Sequence, residues 1–370
     1  MSDMLLDSKL KEVIIKAARI EGVSDIHIID GFVYVTKFKT IAPLKIANNH
    51  VEFDVDALET LIKDIAKIPA TESVPYNAVR DLDTAYSLSY GENIIRLRAN
   101  IASVFSLKNR NAVSVTLRVI PESIPEMSEL GLPEAKIKAL LENDKGIILV
   151  TGPTGSGKST TVAAALERVN STENKKIVTL EDPIENIFTN KKSVIVQREV
   201  GVHTDYKVGL HKALRQAPNI IFIGEMRDRE TAEVALTAAE TGHLVISTLH
   251  TRSSIETISR IIDLYPPERM TVVSAMLSQS LLGIISQDLI RTKDNKVRLA
   301  YEFFAPNVAQ RNKIRGTIDK PIDIAGLKQT FDENRANESM ISNLDKLVKE
   351  GLIDKETMNR YIVDESDKKK

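Results

Sequence analysis

The chain has 370 residues, of which 42% are hydrophobic and 27% charged, and its formal net charge is −1. This length corresponds to about two globular domains, and the near-zero charge leaves no global positive field to hold nucleic acid or an anionic membrane. The absence of cysteine excludes disulfides, thiolate metal sites and thiol nucleophiles.

The first 120 residues predict a small α+β domain. Apolar residues recur at helical spacing at positions 6–17 and 55–65, which predicts two helices. Strand-like segments follow at 84–90, 94–101 and 112–120. In the last of these, apolar residues alternate with polar ones, which predicts a strand with one buried face.

Residues 121–135 predict a linker, because three prolines and a glycine interrupt regular structure there. From 136 to 300 the short apolar runs G-I-I-L-V, K-I-V-T-L, N-I-I-F-I and H-L-V-I-S are separated by helix-length segments. Such runs predict a parallel sheet covered by helices on both faces. Residues 301–370 become polar and predict a C-terminal helical region.

Nothing in the sequence predicts a secretory or membrane-spanning segment. The start, M-S-D-M-L-L-D, lacks a basic stretch followed by an apolar one. No apolar run approaches the roughly 20 residues that a bilayer-spanning helix needs. We therefore expect a cytoplasmic protein that reaches a membrane only through a partner.

The segment G-P-T-G-S-G-K-S-T matches the phosphate-binding loop pattern in full. It follows an apolar strand and precedes a helix, which is the context that the motif requires. Lys158 can reach the β- and γ-phosphates of a nucleotide, and the Ser159 hydroxyl can ligate Mg²⁺. The predicted nucleotide-binding residues of this loop are Gly152, Pro153, Thr154, Gly155, Ser156, Gly157, Lys158, Ser159 and Thr160.

Acidic residues end two of the apolar runs. K-I-V-T-L leads into Glu181 and Glu185, and N-I-I-F-I leads into Glu225. The carboxyl ends of parallel strands meet at one edge of the sheet, so we expect all three beside the phosphate loop. A carboxylate there can hold the magnesium shell or polarise the attacking water. For Asp182 and Asp228 the alternative is a solvated loop acid, and both clusters remain candidates for the general base.

Two histidines, His243 and His250, bracket the apolar run L-V-I-S-T-L. On one uninterrupted strand their odd separation places them on opposite faces, which argues against a metal site held by both. His250 lies at the carboxyl end of the strand, where an imidazole can contact the γ-phosphate or respond when that phosphate leaves. His243 precedes the strand and fits a structural role as well as a site role.

Four motifs in this order resemble the PilT/PilU branch of the type II/IV secretion ATPase superfamily, the type IV pilus motors. They are G-P-T-G-S-G-K-S-T, T-L-E-D-P-I-E, F-I-G-E-M-R-D-R-E-T and A-A-E-T-G-H-L-V-I-S-T-L-H-T. The resemblance extends from about residue 146 to 290, and L-R-Q-A-P-N is similar to the PilU side of the branch. It implies an α/β RecA-like P-loop ATPase domain, preceded by a small α+β PAS-like domain. It also implies ATP and Mg²⁺ as cofactors and a homohexamer with ATP at the joint between domains.

The resemblance also implies residue roles. Glu225 is the Walker B-type glutamate and, with Ser159, a magnesium ligand. The remaining implied catalytic residues are Glu185, Glu181, His250, His243 and Arg118, and the implied nucleotide-binding arginines are Arg96 and Arg98. Arg96 and Arg98 are equally well interpreted as solvent-exposed strand residues without a site role. Arg118, in T-L-R-V-I-P, fits the family pattern better.

Two departures from the family pattern bear on function. Asn219 stands where members commonly carry an acid, which allows a differently ligated magnesium ion. Near the C-terminus, P-N-V-A-Q-R-N-K-I-R-G is only partly similar to the A-I-R-N-L motif that the family links to retraction. This favours a PilU-like or divergent motor.

The predicted function is a hexameric, ATP-hydrolysing motor that powers type IV pilus retraction. It would act on an inner-membrane platform protein and lie in the cytoplasm at the inner membrane. The alternatives are a related secretion or conjugation ATPase, a pilus extension motor, a RecA-like nucleic-acid motor, and a module that uses ATP as a switch. The short N-terminal half and the lack of cysteine argue against extension motors, and the 5% aromatic content argues against a nucleic-acid motor.

Overall fold

The computed structural model describes residues 3–29, 31–38, 40–46, 49–69, 81–91, 93–104, 112–120, 123–200, 205–294, 296–317 and 322–362, with side chains from residue 10 onward. The chain divides into two compact units, Met1–Ser123 and Ile124–Lys370. The division falls inside the predicted linker, whose residues 121 and 122 lie outside the described part.

Within its described residues, the first unit contains a six-stranded antiparallel sheet and two helices. Its elements are α1 (Asp3–Ala18), β1 (Val23–Ile29), β2 (Phe32–Lys37), β3 (Thr40–Pro43), β4 (Lys45–Ile46), β5 (Asn49–His50), α2 (Val55–Ile65), β6 (Leu82–Tyr90), β7 (Asn93–Val104) and β8 (Ala112–Ile120). The strand order in the sheet is β3-β2-β1-β8-β7-β6. This confirms the predicted α+β character of the region, and the PAS-like description stays a prediction.

One face of this sheet forms a core with the two helices. Along β8, Val113, Val115 and Leu117 are buried, because alternate side chains of a strand point to the same face. Helix α2 presents an apolar stripe to the same core. It begins after Asp54, whose carboxylate accepts a hydrogen bond from the Ala57 N–H.

The second unit is built on a seven-stranded sheet within its described residues. Its elements are α3 (Glu134–Leu141), β9 (Gly146–Thr151), α4 (Lys158–Thr172), β10 (Lys176–Glu181), β11 (Val194–Glu199), α5 (Tyr206–Leu214), β12 (Ile220–Ile223), α6 (Arg229–Glu240), β13 (Leu244–Leu249), α7 (Ser254–Asp263), α8 (Pro267–Ser280), β14 (Leu281–Arg291), β15 (Val297–Phe304), α9 (Val308–Arg315), α10 (Ile324–Thr330), α11 (Met340–Lys349) and α12 (Lys355–Tyr361).

The strand order is β11-β10-β12-β13-β9-β14-β15, and every pairing is parallel except that of β14 with β15. All residues of β9, β12 and β13 are buried. Separate apolar clusters cover the two faces of the sheet. The four apolar runs are therefore central strands of a doubly covered parallel sheet, and the predicted α/β fold is confirmed.

The chain after residue 300 is not helical from its start, contrary to the sequence-based expectation. Strand β15 continues to Phe304 and pairs with β14 in an antiparallel hairpin, and helices begin only at Val308. The apolar pattern of β14 is interrupted by the polar sequence S-Q-D, of which Ser286 and Gln287 are buried, so the sequence does not predict this strand. The hairpin matters for the site because β14 lies beside β9, which leads into the phosphate loop.

Among the helices of the described residues, none is long and apolar enough to span a membrane.

Candidate active site

The phosphate loop lies between the end of β9 and the start of α4, at the carboxyl edge of the parallel sheet. Its backbone has left-handed φ angles of +145° at Gly152 and +86° at Gly157, a region that favours glycine. A Cβ atom on Gly152 would lie 2.2 Å from the carbonyl oxygen of Gln287 on β14. Both glycines are thus required by the curl of the loop, which is the shape that exposes backbone N–H groups to a phosphate.

Lys158 is the first residue of α4, and its side chain returns into the loop. Its Nζ donates hydrogen bonds to the carbonyl oxygens of Gly152 (2.8 Å) and Pro153 (3.0 Å). The residue is only 8% exposed, and burial lowers the pKa of Lys158, although the charges of Glu225 and Glu185 oppose that effect. The loop therefore holds a buried cation at its centre.

The other loop residues differ in exposure. Thr154 and Gly155 are exposed, Pro153 and Gly157 are partly exposed, and Ser156 is buried. Ser159 and Thr160 are partly exposed in the first turn of α4, where the N-terminal dipole of the helix favours anions. The nine loop residues predicted from the sequence thus combine buried residues that fix the loop, such as Ser156 and Lys158, with exposed and partly exposed residues at the start of α4.

The acidic box follows β10. Glu181 is buried at the end of this strand, where it accepts hydrogen bonds from the Thr179 hydroxyl (2.7 Å) and the Gln197 amide (3.3 Å). Burial raises the pKa of Glu181, and these two hydrogen bonds only partly offset it. Glu185 is partly exposed and close enough to act electrostatically on both Lys158 and Glu181.

Glu225 follows β12, at the same edge of the sheet. Its Oε2 lies 2.7 Å from Nη2 of Arg227, and its Oε1 lies 3.0 Å from Nε2 of His250. Burial acts to raise the pKa of Glu225, but the hydrogen bond from Arg227 and the contact with His250 outweigh it and hold the pKa below its ordinary value. Glu225 is therefore an ionised carboxylate at neutral pH.

His250 links this carboxylate to the phosphate loop. It follows β13, and its Nδ1 lies 3.4 Å from the Nζ of Lys158. An ammonium can only donate a hydrogen bond, so in a neutral imidazole Nδ1 accepts from Lys158 and the Nε2–H donates to Glu225. The three side chains form one chain of contacts from Lys158 through His250 to Glu225.

His243 lies at the opposite edge of the sheet. It precedes β13, its carbonyl accepts from the N–H of Gly146 at the start of β9, and its Nδ1 lies 3.3 Å from the carbonyl oxygen of Ala238. The seven positions from His243 to His250 cover about 20 Å of extended chain. The structure therefore does not bring His243 to the phosphate loop with His250.

The three predicted arginines lie on one face of the sheet in the first unit. Arg96 and Arg98 are alternate residues of β7, and Arg98 is opposite Arg118 on β8. Carboxylates offset the repulsion of that pair: Asp83 binds Arg98 (2.7 Å) and Asp25 binds Arg118 (2.9 Å). The Arg118 side chain is 57% exposed, so the ion pair leaves more than half of it accessible to solvent.

Asn219 is also remote from the phosphate loop. It precedes β12, its backbone N–H donates to Lys176 O (2.8 Å), and its side-chain oxygen accepts from the N–H of Lys176 (2.8 Å). These bonds join the amino ends of β10 and β12, the edge away from the site. Asn219 therefore lies at the wrong edge of the sheet to ligate a magnesium ion bound at the phosphate loop.

Two side chains near the acids were not selected from the sequence. Arg227 lies within the motif G-E-M-R-D but was not singled out, although it pairs with Glu225. Tyr206 begins α5, and a Cβ on Gly224 would lie 3.1 Å from its hydroxyl. Burial and the nearby charge of Asp182 raise the pKa of Tyr206. No spacing in the sequence signals this residue, because its approach depends on the bare backbone of Gly224.

The arrangement suits phosphoryl transfer more than a protein-held metal centre. In the described part of the chain, no group of three or more His, Asp or Glu side chains is placed to hold a metal ion. Mg²⁺ commonly needs only one or two protein ligands because substrate phosphates and waters supply the rest. The Ser159 hydroxyl and the Glu225 carboxylate are oxygen groups of the kind that Mg²⁺ prefers as ligands.

Comparisons with known proteins agree with this geometry. The family model described as type II/IV secretion system protein matches residues 3–354. A twitching motility protein of Neisseria gonorrhoeae is 40% identical over 287 residues, covering 77% of this chain and 74% of that protein. The type IV pilus retractation ATPase PilT of Pseudomonas aeruginosa is 42% identical over 278 residues, covering 74% of this chain and 77% of that protein.

The fold of a solved relative matches along nearly the whole chain. The crystal structure of the pilus retraction motor PilT with bound ADP superposes with a TM-score of 0.79 at 36% identity, covering 97% of this chain and 98% of that one. The family match covers both units, and the superposition includes the sheet that carries the phosphate loop. The chain therefore belongs to the type II/IV secretion system protein family, as an ATPase of its PilT/PilU branch.

Proposed function

We propose that this chain is a ring-forming, ATP-hydrolysing motor that retracts a type IV pilus. The observation that carries the catalytic part is the contact chain from Lys158 through His250 to Glu225, which joins a phosphate-binding cation to an ionised carboxylate. The relatives named for twitching motility and pilus retraction support the biological part.

The nucleotide site consists of the loop from Gly152 to Thr160. Backbone N–H groups and Lys158 hold the phosphates, while Ser159 and Glu225 hold Mg²⁺ directly or through water. Bound ATP supplies the phosphoanhydride bond whose hydrolysis drives the motor. In this role Lys158 exchanges its hydrogen bonds to loop carbonyls for bonds to phosphate oxygens.

Glu225 is the proposed general base. A carboxylate that stays ionised at neutral pH can accept a proton from water, and the hydrogen bonds from Arg227 and His250 hold it in one orientation. His250 responds to the phosphates through its contact with Lys158 and passes that change to the base. We assign Glu181 and Glu185 to the magnesium and water shell.

Arg118, Arg96 and Arg98 are proposed to supply positive charge to the nucleotide, as the family resemblance implies. A guanidinium stabilises negative charge that develops on transferring phosphate oxygens. For Arg98 and Arg118 this role requires release from Asp83 and Asp25. His243 is proposed to act only indirectly, by fixing the amino end of β13.

The proposed assembly is a homohexamer in the cytoplasm at the inner membrane. Its partner is the inner-membrane platform protein of the pilus, on which the ring does mechanical work, and it binds no nucleic acid. The match to the ADP-bound PilT structure over nearly the whole chain supports a motor of the same kind.

Deletion of the gene, complemented with either the parent or Lys158→Ala, tests the proposal. Surface pili are counted by electron microscopy and ATP hydrolysis is measured on the purified chains. Excess pili on non-twitching cells, not corrected by Lys158→Ala, are the expected result.

Other outcomes contradict it in distinguishable ways. Bald cells would identify an extension motor, and unchanged pili would identify an accessory paralogue or an ATPase of another secretion system. Hydrolysis by Lys158→Ala at the parent's rate would contradict the site itself.

A further inference from the structure

Gln287 is a buried glutamine whose side chain contacts the phosphate loop. It is on β14, follows Ser286, and is only 1% exposed. Its side-chain Nε2 donates a hydrogen bond of 2.7 Å to the carbonyl oxygen of Ser156. No motif of the sequence pointed to it, because β14 was not predicted as a strand.

The loop meets Gln287 at three points along its length. A Cβ on Gly152 would lie 2.2 Å from the backbone oxygen of Gln287, and a Cβ on Gly157 would lie 3.3 Å from its Nε2. Together with the hydrogen bond to Ser156, these distances show that Gln287 lies close to the loop at its start, its middle and its end. The lack of side chains at Gly152 and Gly157 is what permits the approach.

The bond to Ser156 has a consequence for the next peptide group. In a trans peptide the C=O of one residue and the N–H of the following residue point in opposite directions. Because Gln287 holds the Ser156 carbonyl toward β14, the N–H of Gly157 points away from β14. Successive backbone N–H groups that line the concave side of such a loop are the ones that bind phosphate.

The side-chain oxygen of Gln287 is buried and has no hydrogen-bond partner among the described residues. Within the described part of the chain, this Oε1 and the Ser156 hydroxyl are the buried side-chain polar atoms that have no hydrogen-bond partner. An unpaired buried amide oxygen costs free energy, and an apolar side chain of similar volume avoids that cost. Packing alone therefore does not account for an amide here, whereas its donor group does.

We propose that Gln287 is a positioning residue of the phosphate loop, which orients the Gly157 N–H for a nucleotide phosphate by holding the Ser156 carbonyl. The inference rests on the nucleotide-binding role proposed above and assigns to β14 a part in it. Gln287 touches the loop and not the reacting atoms, so its effect should appear in nucleotide affinity.

The matched pair Gln287→Met and Gln310→Met tests this. Gln310 is also fully buried and its Nε2 donates to a carbonyl, Thr330 O at 3.0 Å, but it lies on α9. Each change removes one buried amide-to-carbonyl bond at similar volume. Gln310→Met also removes the bonds that its Oε1 accepts from the Asn307 N–H and from Asn334 Nδ2, so it is the more disruptive change and a stringent control. The dissociation constant for ADP, measured by calorimetry on the full-length chain, should rise about tenfold in Gln287→Met and change less than about twofold in Gln310→Met.

Gln287→Glu supplies a test that does not depend on Gln287→Met folding. A buried glutamate facing a carbonyl oxygen has a raised pKa, and its protonated form has an O–H that can donate to Ser156. Its ADP affinity, as a ratio to that of the parent at the same pH, should therefore recover as the pH falls from about 8 to about 6. If Gln287 only supports the fold, the ADP affinity of Gln287→Glu should not recover at lower pH.

The outcomes separate the two claims. If the parent does not bind ADP, the nucleotide-binding role itself is wrong. If the parent binds but Gln287→Met binds equally tightly, or Gln310→Met loses as much affinity, or Gln287→Glu shows no recovery at lower pH, the positioning role is wrong and the nucleotide role stands.

Discussion

The imidazole Nε2 of His250 lies 3.0 Å from the carboxylate Oε1 of Glu225, although the two residues follow different strands. The contact exists because β12 and β13 are adjacent and parallel, so their carboxyl ends meet. On its other side the imidazole reaches Lys158. A change at the phosphate loop can thus reach the carboxylate through one side chain.

We expect Glu225→Gln to lower kcat for ATP hydrolysis by about 10²- to 10⁴-fold, because the amide cannot accept a proton from water. The dissociation constant for ADP, measured without Mg²⁺, should change less than about threefold, since the phosphate loop and Lys158 are not substituted. Steady-state hydrolysis and ADP titration measure the two quantities. The exposed Glu230, which pairs with Lys207, gives the control Glu230→Gln. A Glu225→Gln variant with at least half the parent's kcat would show that another residue is the base.

The lowered pKa of Glu225 makes a prediction about stability. Its ionised form is favoured in the folded state, so this contribution is fully present above the ordinary value of 4.5 and is lost as the pH falls through the lower folded-state pKa. The Tm of the parent should exceed that of Glu225→Gln most at about pH 7, and the difference should shrink below pH 4.5. Thermal unfolding across this range measures it, and a pH-independent difference would contradict the prediction.

Glu181 should behave in the opposite way. Its pKa is raised by burial, so the folded state disfavours its ionised form, and stability is lost as the pH rises through the folded-state pKa. Glu181→Gln can still accept from the Thr179 hydroxyl and should therefore raise Tm at about pH 8. The gain should disappear below the ordinary value of 4.5, where glutamate is protonated in both states. A lower Tm of the variant at pH 8 would mean that the charge itself stabilises the site.

The hydroxyl of Thr257 connects the residue after His250 to the interior. Its Oγ1 lies 2.7 Å from that of Thr251 and also donates to Ser253 O (2.7 Å), while Thr151, before the phosphate loop, is 3.5 Å away. Thr257→Val leaves the buried Thr251 hydroxyl without this partner. The free energy of unfolding should fall by about 1–3 kcal/mol, measured by urea denaturation.

The control for that change is Thr237→Val, on α6. Thr237 is exposed and its hydroxyl donates only within its own helix, to Glu233 O at 2.7 Å. Its replacement should alter the free energy of unfolding by less than about 0.5 kcal/mol. Equal losses in the two variants would show that the buried hydroxyl contacts contribute nothing beyond helix propensity.

Arg118 can be tested against its ion-pair partner. If Arg118 supplies charge to the nucleotide, Arg118→Ala should lower kcat/KM for ATP at least about tenfold, whereas Asp25→Ala should leave it unchanged or raise it. If the ion pair is only structural, both variants should lose activity together. Initial rates over a range of ATP concentrations distinguish the two patterns.

The sequence alone determined the local elements of the active site. A phosphate loop between an apolar strand and a helix is a contiguous pattern, and apolar runs at helix-length intervals specify a parallel sheet. These two facts already place Glu181, Glu225 and His250 at one edge of the sheet. These predictions succeed because the backbone geometry of a phosphate loop and the periodicity of a strand or helix depend on only a few neighbouring residues.

Only the tertiary structure decided which side chains meet. It joined Lys158 to Glu225 through His250, placed His243 and Asn219 at the far edge, and inserted Gln287 from β14 into the phosphate loop. Each of these contacts depends on strand order and on the direction of a side chain from a distant part of the chain. The sequence pattern specifies neither the strand order nor the side-chain direction, because both are set by how the whole sheet packs.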